Sequence, residues 1–479
     1  MVRDIQTADP HLRSHIDAQC YQDNVFDGLT EIGRNYQPIP SLAESWKNLN
    51  DVTWEFKLRP GVKFHNGEDF DANTVKFNVE RLLRPGFSPQ RFQEFATIKE
   101  VQVIDPSTAR VITKDPDPLL LSRFHLVRMV PQQYVEQNGD DIMNEKPVGT
   151  GPYKFVKWVK DDYVELEAVD KHWRVGKPPA KRVVQKVIPT AAPRVAALQT
   201  GAADIIWDVP ADNIAPLEKD PNLATYLEKS LSVPNIQISQ FLEGPLRDKR
   251  VRQALNYAVD KESIVKNLFL GYYKVVPSAL VPVCFGYDET QKSYPYDPKK
   301  AKELLAQAGY PNGFEVTFDS TQTAYPKQTE YIQAVANYLS EVGVKAKIVP
   351  HESSEQYELT ARKGNKGPTG IFHQSPGCLK LDGDDILWPQ FRSWDEKTAV
   401  GNKMYFSNPE LDKLVDAGRF TLDPAERKKI YQKALQTIQD EAYWLFLWEM
   451  PYFWGYSKKK LKAIHPRTYR IFAWDVEPA

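Results

Sequence analysis

The sequence predicts an α/β fold, on three observations. Short segments with strict apolar/polar alternation recur along the chain, capped helices with apolar stripes stand between them, and the length allows more than one core. A chain of 479 residues suggests two or three compact units. Prolines and glycines, 36 and 24 in number, are spread evenly, so no long disordered linker is expected.

In chain order, Trp54-Glu55-Phe56-Lys57-Leu58-Arg59 alternates, with Trp54, Phe56 and Leu58 on a buried face and Glu55, Lys57 and Arg59 on a solvated one. Pro60-Gly61 turns the chain. Asp71 then caps a helix whose stripe is Val75, Val79, Leu82 and Leu83. Further on, Asp297-Pro298 opens a helix with the stripe Ala301, Leu304, Leu305 and Ala308, and Gly309 ends it. Phe314 to Phe318 and Val344 to Val349 read as strands. Asp423-Pro424-Ala425-Glu426 repeats the capping logic ahead of Ile430, Ala434, Leu435 and Ile438.

Composition excludes several classes. The 62 basic and 63 acidic residues balance to a net charge of -1, which argues against an extended nucleic-acid face. Lys458-Lys459-Lys460 reads as a solvated run. No apolar stretch is long enough to span a bilayer. Three cysteines (Cys20, Cys284, Cys378) allow one pair at most and no disulfide framework. His11 and His15 have helical spacing but lack the glutamate of an HExxH zinc motif, and Gly149-Thr150-Gly151 lacks the lysine and hydroxyl of a phosphate loop. No GxSxG elbow and no Cys/His nucleophile pair is present, so the expectation is a binding protein rather than an enzyme, with neither metal nor cofactor. Asp382, Asp384 and Asp385 form a turn with a helix cap, or alternatively oxygens for calcium or a ligand amine.

The block Ser41 to Arg81 resembles the signature of the bacterial extracellular solute-binding proteins of family 5, the oligopeptide, dipeptide and nickel class that feeds ABC importers. Further matches follow in order: Val148 to Phe155, Arg194 to Ile205, Arg247 to Lys261, Asn408 to Asp412, and Asp423 to Tyr431. The resemblance implies a two-lobed, type II periplasmic-binding-protein-like fold with an extra subdomain. Lobe I would comprise 1–27, 145–233 and 446–479, decorated by a subdomain at 28–144, and lobe II would be 234–445. It also implies a monomer outside the cytoplasm, periplasmic or membrane-associated, that closes about a hinge on its solute and serves permease subunits of an ABC importer. Met1-Val2-Arg3-Asp4 leads straight to Asp9-Pro10, so the export signal is expected to have been removed and the first strand shortened.

Peptide-binding relatives carry a Gly-Trp-x-x-Asp stretch whose aspartate pairs with the peptide ammonium. The corresponding segment, Ile371 to Asp385, places Leu379 at that position. A buried ammonium without a counter-ion costs several kcal/mol, so ordinary peptides are disfavoured unless Asp382 takes the role. His373 and Gln374 offer neutral donors and acceptors suited to hydroxyls. The expected solute is therefore an oligosaccharide or a sugar conjugate of opine type, then a short peptide, then a metal complex. For His373, a satisfied core position is an equal alternative. Placement by resemblance adds Tyr21, Gln22, Arg91, Phe92 and Trp394 as ligand contacts. A hydrolase of the same oligomers and a peptide-binding chaperone are the rival functions.

Overall fold

The computed structural model describes residues 1–12, 16–88, 92, 94–321, 324–352, 370–395 and 401–479. The chain divides into two compact units, Met1–Glu228 with Tyr452–Ala479, and Lys229–Pro451. The boundaries thus fall at 228/229 and 451/452, where the sequence-based division sets them at 233/234 and 445/446. Hydrogen bonding explains the difference. Leu231 O accepts from Cys378 N at 2.7 Å, Ser230 Oγ from Met450 N at 2.9 Å, and Leu447 O from Val276 N at 3.2 Å, all within the second unit.

In the first unit, a four-stranded antiparallel sheet runs in the order Ala43–Asn50, Thr53–Leu58, Thr108–Thr113, Ile98–Asp105. Phe56 and Leu58 join a core with Val75, Val79 and Leu82 of the helix Ala72–Leu83. That helix starts with a capping box: Asp71 Oδ1 accepts from Thr74 N at 2.9 Å and Thr74 Oγ1 accepts from Asp71 N at 3.4 Å. Glu55 departs from the expected alternation, since it is only 5% exposed. Lys47 and Arg110, at 3.3 and 2.8 Å on the flanking strands, cover its carboxylate. The glycines of Val148 to Phe155 are required by close approach: a Cβ on Gly149 would stand 2.0 Å from Val25 O, and one on Gly151 2.6 Å from Val25 C.

Two further antiparallel sheets belong to this unit. One joins Tyr153–Val159, Tyr163–Ala168 and Arg182–Lys186. In the other, the returning strand Tyr452–Ser457 lies between Ile205–Trp207 and Leu223–Glu228, with Glu228 opposite Tyr452. The two places where the chain passes between units are therefore adjacent in one ladder.

The second unit is built on a five-stranded mixed sheet in the order Val344–His351, Phe314–Thr321, Ile371–Gln374, Asn235–Ile238, Trp444–Phe446. The first three strands are mutually parallel and the last two pair antiparallel. Helix starts follow the sequence signals, with Asp297 accepting from Lys300 N and Asp423 from Glu426 N, each at 2.8 Å. The Arg247 to Lys261 motif has a structural reason as well. Buried Arg252 binds Glu441 Oε2 at 3.0 Å and Glu441 O at 2.8 Å, tying Lys249–Ala258 to the end of Pro424–Glu441.

Cys284 and Cys378, 94 residues apart, form a disulfide with Cα atoms 6.3 Å apart, while Cys20 is free and buried. Replacing both paired cysteines by serine is expected to lower stability by about 2–5 kcal/mol, measured by urea unfolding, because a long loop is released in the unfolded chain. Two histidines are buried as neutral rings, one in each unit: burial pushes His65 down to about 4 and His373 down to about 3. Below an unfolded value near 6.5 the unfolded chain binds protons that the native one refuses. Their stabilisation is thus complete above pH ~6.5 and lost as pH falls toward 4 and 3, at about 1.4 kcal/mol per pH unit for each ring. Between pH 7 and 4.5 acidification should cost the wild type more stability than it costs His373→Gln, by about 1.4 kcal/mol per pH unit, read from the melting curves of the two proteins.

Candidate ligand-binding site

The helix Ile16–Val25 carries the first pair of candidates. Tyr21 is fully buried, its ring edge-on to Phe26 and Phe155, and its hydroxyl donates to Ala8 O. It serves as an internal strut and presents no free polar atom. Gln22 is 1% exposed, and its Nε2 has no hydrogen-bond partner among the described residues. A buried amide in that condition is a donor still to be matched. One residue on, Asp23 enters a fully buried ionic cluster with Arg128 and, at 3.0 Å, Arg470, and Glu31 lies 3.9 Å from Arg128. Phe92 is 38% exposed, with its amide bonded to Ser88 O. Arg91 lies outside the described residues.

In the second unit, His373 sits on Ile371–Gln374 and is 1% exposed. Gln328 Nε2 donates to its Nδ1 at 3.1 Å, which leaves the proton on Nε2, 2.8 Å from the Tyr331 hydroxyl. Both ring nitrogens are therefore engaged, so His373 matches the satisfied-core alternative rather than a direct solute contact. Gln328 in turn reaches Ser320 and Thr321 Oγ atoms at 3.2 and 2.9 Å, which makes the histidine one member of a polar network inside the sheet's cover. Gln374, next along the strand, is half-buried opposite Asn235.

Asp382 is held by Arg427 in a bidentate pair of 2.5 and 2.7 Å, and its Oδ1 also accepts from Asp384 N at 2.9 Å. Arg427 is itself buried, donates to Gly418 O at 2.6 Å, and stacks over Phe285 and Tyr431. A carboxylate so occupied is a structural anchor, not a ready counter-ion for an incoming ammonium. The other two acids are also matched, Asp384 by Arg419 at 3.4 Å and Asp385 by Lys380. A calcium role for the cluster loses its basis, because each carboxylate already faces a cation. Leu379, at the position of the missing anchor, is 46% exposed. Trp394 is half-buried with its ring 6.3 Å from that of Tyr405.

Among the described residues no group of three His, Cys, Asp or Glu could hold a metal ion. His11 is taken up by Arg128 O and Arg81, each at 2.8 to 2.9 Å, and His15 lies outside the described residues. A cavity of about 570 Å³ in the first unit, lined in part by Val184, Ile205, Trp207, Trp454 and Ile471, includes none of the predicted contacts. Sequence reasoning missed Gln328 and Tyr331 around His373, and the Asp23, Glu31, Arg128 and Arg470 cluster. Their partners lie 42 to 447 residues apart, and no local spacing marks them.

Comparison with known proteins gives this geometry its family. The glutathione-binding protein GsiB of Escherichia coli (strain K12) is 30% identical over 443 residues, covering 92% of this chain and 86% of GsiB. NikZ from Campylobacter jejuni, solved with Ni(L-His), superposes with a TM-score of 0.84 at 28% identity over 99% of this chain and 98% of NikZ. AgaA from A. tumefacien R10, solved with agropinic acid, gives 0.80 at 25% identity over 100% and 97%. Among the described residues no helix is long and apolar enough to cross a membrane. The sequence model of the bacterial extracellular solute-binding proteins, family 5 Middle, matches residues 37–395. The chain belongs to this family, the binding proteins that serve ABC importers.

Proposed function

We propose that the protein captures a small polar conjugate built on an amino acid, of the glutathione or opine kind, and delivers it to the permease subunits of an ABC importer. The similarity to GsiB and AgaA carries the solute class, and the pairing of Asp382 with Arg427 requires any ammonium of such a conjugate to be matched by another acceptor, for which the side-chain oxygens of Gln22 and Gln374 are put forward. Recognition then falls to neutral hydrogen-bonding groups and aromatic faces, with Gln22, Phe92, Gln374 and Trp394 as the contacts put forward and Arg91 as the partner for an anionic group. Tyr21, His373 and Asp382 act on the solute indirectly, by fixing the backbone that carries these groups. The similarity to GsiB over most of both chains and to AgaA supports the same solute class.

Delivery requires a change of state. A solute that contacts both units favours a closed arrangement only by its extra affinity for that state, and a swing from 1:99 to 99:1 takes about 5.5 kcal/mol. The reading places the protein outside the cytoplasm as a monomer. A disulfide between Cys284 and Cys378 agrees with an oxidising compartment. Turnover has no role in this scheme, so the solute is expected to be recovered unchanged.

A thermal-shift screen of glutathione in both redox forms, opines, dipeptides, oligosaccharides and Ni(L-His) tests the reading. A ligand at 100 times its dissociation constant adds about 2.7 kcal/mol, and the conjugates should give this while oligosaccharides and the nickel complex should not. Gln374→Ala is expected to weaken the best ligand about tenfold with little change in the unliganded melting point. His373→Gln is expected to lower the unliganded melting point, as befits a residue of the core network. Stabilisation by oligosaccharides alone would reverse the solute assignment.

A further inference from the structure

Glu228 is the last residue of the first unit before the chain leaves it, and Tyr452, its partner across the ladder, is the first on return. Its side chain is fully buried. One carboxylate oxygen accepts from the backbone N of Tyr469 at 2.7 Å and the other from Trp454 Nε1 at 2.8 Å. The carboxylate thus fastens three pieces together: the outgoing strand end, the returning strand and the hairpin Arg467 to Arg470.

That hairpin is under strain. Thr468 and Tyr469 both have left-handed backbone, φ 53° and 63°, which a β-branched residue rarely adopts. Arg467 and Arg470 exchange backbone hydrogen bonds of 3.1 Å around them, and Arg470 donates to Thr468 Oγ1 at 2.9 and 2.6 Å. The Tyr469 ring packs 4.2 Å from that of Tyr452, so the turn leans on the residue opposite Glu228.

The charges facing Glu228 come from the hairpin, as Arg467 and Arg470, and both are bound elsewhere, Arg467 to Asp475 at 2.7 Å and Arg470 to Asp23 at 3.0 Å. Tyr226 on its own strand, Tyr36 from the loop after Thr30–Ile32, and Tyr469 on the hairpin are the other titratable neighbours. No cation stands within 4.0 Å of its carboxylate among the described residues. Burial pushes Glu228 up to about 7, against the opposing pull of Tyr469 N and Trp454 Nε1. Ionising it therefore costs the fold stability as pH rises from ~4.5 through 7.

We propose that Glu228 is a proton-operated clasp at the chain crossing: ionised, it accepts both N–H bonds and holds the strained hairpin and Trp454 in the binding-competent arrangement, and protonated, it gives up the bond from Tyr469 N and releases the hairpin. A carboxylate presents a charged acceptor oxygen to each N–H, whereas in the carboxylic acid one of the two oxygens carries the proton and accepts more weakly. Solute retention then depends on pH near neutrality. This rests on the closing motion of the preceding section, and the competent fraction changes from roughly one in eleven at one pH unit below the midpoint to ten in eleven at one unit above, a tenfold change in apparent affinity.

The clasp is tested first without solute, by following the Glu228 carboxyl carbon by NMR and the Tyr469 amide by hydrogen exchange from pH 5 to 9. A midpoint near neutrality with faster Tyr469 exchange on the acid side is expected. Titration in the ordinary carboxylate range, or Tyr469 exchange without a matching step once intrinsic rates are removed, would overturn it. Affinity for glutathione at pH 6 and 8 is the second arm. The wild type should bind about tenfold more weakly at pH 6, and Glu228→Gln, which keeps one acceptor and lacks the charge, should bind weakly at both. A Glu228→Gln protein with the wild-type pH slope would overturn the link to binding. Glutathione binding that is absent at both pH values, together with the expected carboxyl titration, would count against the solute reading and leave the clasp supported.

Discussion

The pairing of Asp382 with Arg427 decides how the second unit can be read. Two short hydrogen bonds from Arg427, a third from Asp384 N, and the enclosure of the guanidinium by Phe285, Tyr431 and Gly418 O commit the buried carboxylate to partners within the unit. A buried pair of this kind gains little over an apolar replacement, yet losing one partner leaves a charge stranded. Its value lies in geometry. The pair fixes the segment after Ile371–Gln374 to the helix Pro424–Glu441, and the Cys284–Cys378 bond fixes the same segment to the loop before Phe285. Phe285 N donates to Leu381 O and Gly383 N to Phe285 O, each at 2.9 Å, so covalent, ionic and backbone ties converge there. A segment held this firmly is suited to presenting groups to a solute without an ordering cost at binding.

The same economy of freedom governs the first unit. The segment leading into the strand Tyr153–Val159 lies against the end of the Ile16–Val25 helix so closely that no side chain is admitted at 149 or 151. Next to the end of that helix, Asp23 and Asp27 are each surrounded by cationic or hydrogen-bonding groups. Burial pushes the Asp27 carboxyl up, but His172 at 3.4 Å, Arg174 at 3.2 Å and Thr150 at 2.9 Å outweigh it and hold the group well below the usual carboxylate range. Such groups impose order near the places where contacts are proposed, and the buried Gln22 Nε2 is among the donors there without a hydrogen-bond partner among the described residues.

Features set by neighbours in the chain were legible in the sequence. Asp71, Asp297 and Asp423 cap helices because the capping oxygen and the amide it serves are three residues apart. The stripes of Val75, Val79 and Leu82, and of Ala434, Leu435 and Ile438, are buried for the same local reason. Two of the motifs that carry the family resemblance have a packing reason in this chain, since Arg252 ties two helix ends together and Gly149 has no room for a side chain. Long-range chemistry was not. Nothing near Asp382 announces Arg427, 45 residues on, and nothing near His373 announces Gln328, 45 residues back. Glu55 was misplaced on the solvated face because its covering cations come from the two flanking strands. The lobe boundaries implied by the resemblance lie a few residues from 228/229 and 451/452, where backbone bonds to Cys378, Met450 and Val276 hold the flanking residues within the second unit.

Unfolding of Asp382→Asn in the absence of any solute tests this account most directly. If Asp382 belongs to Arg427, the substitution strands a buried guanidinium and should lower stability by about 3–5 kcal/mol, read from urea curves against the wild type. An unliganded Asp382→Asn protein that unfolds together with the wild type would contradict the account and return Asp382 to service as a solute anchor.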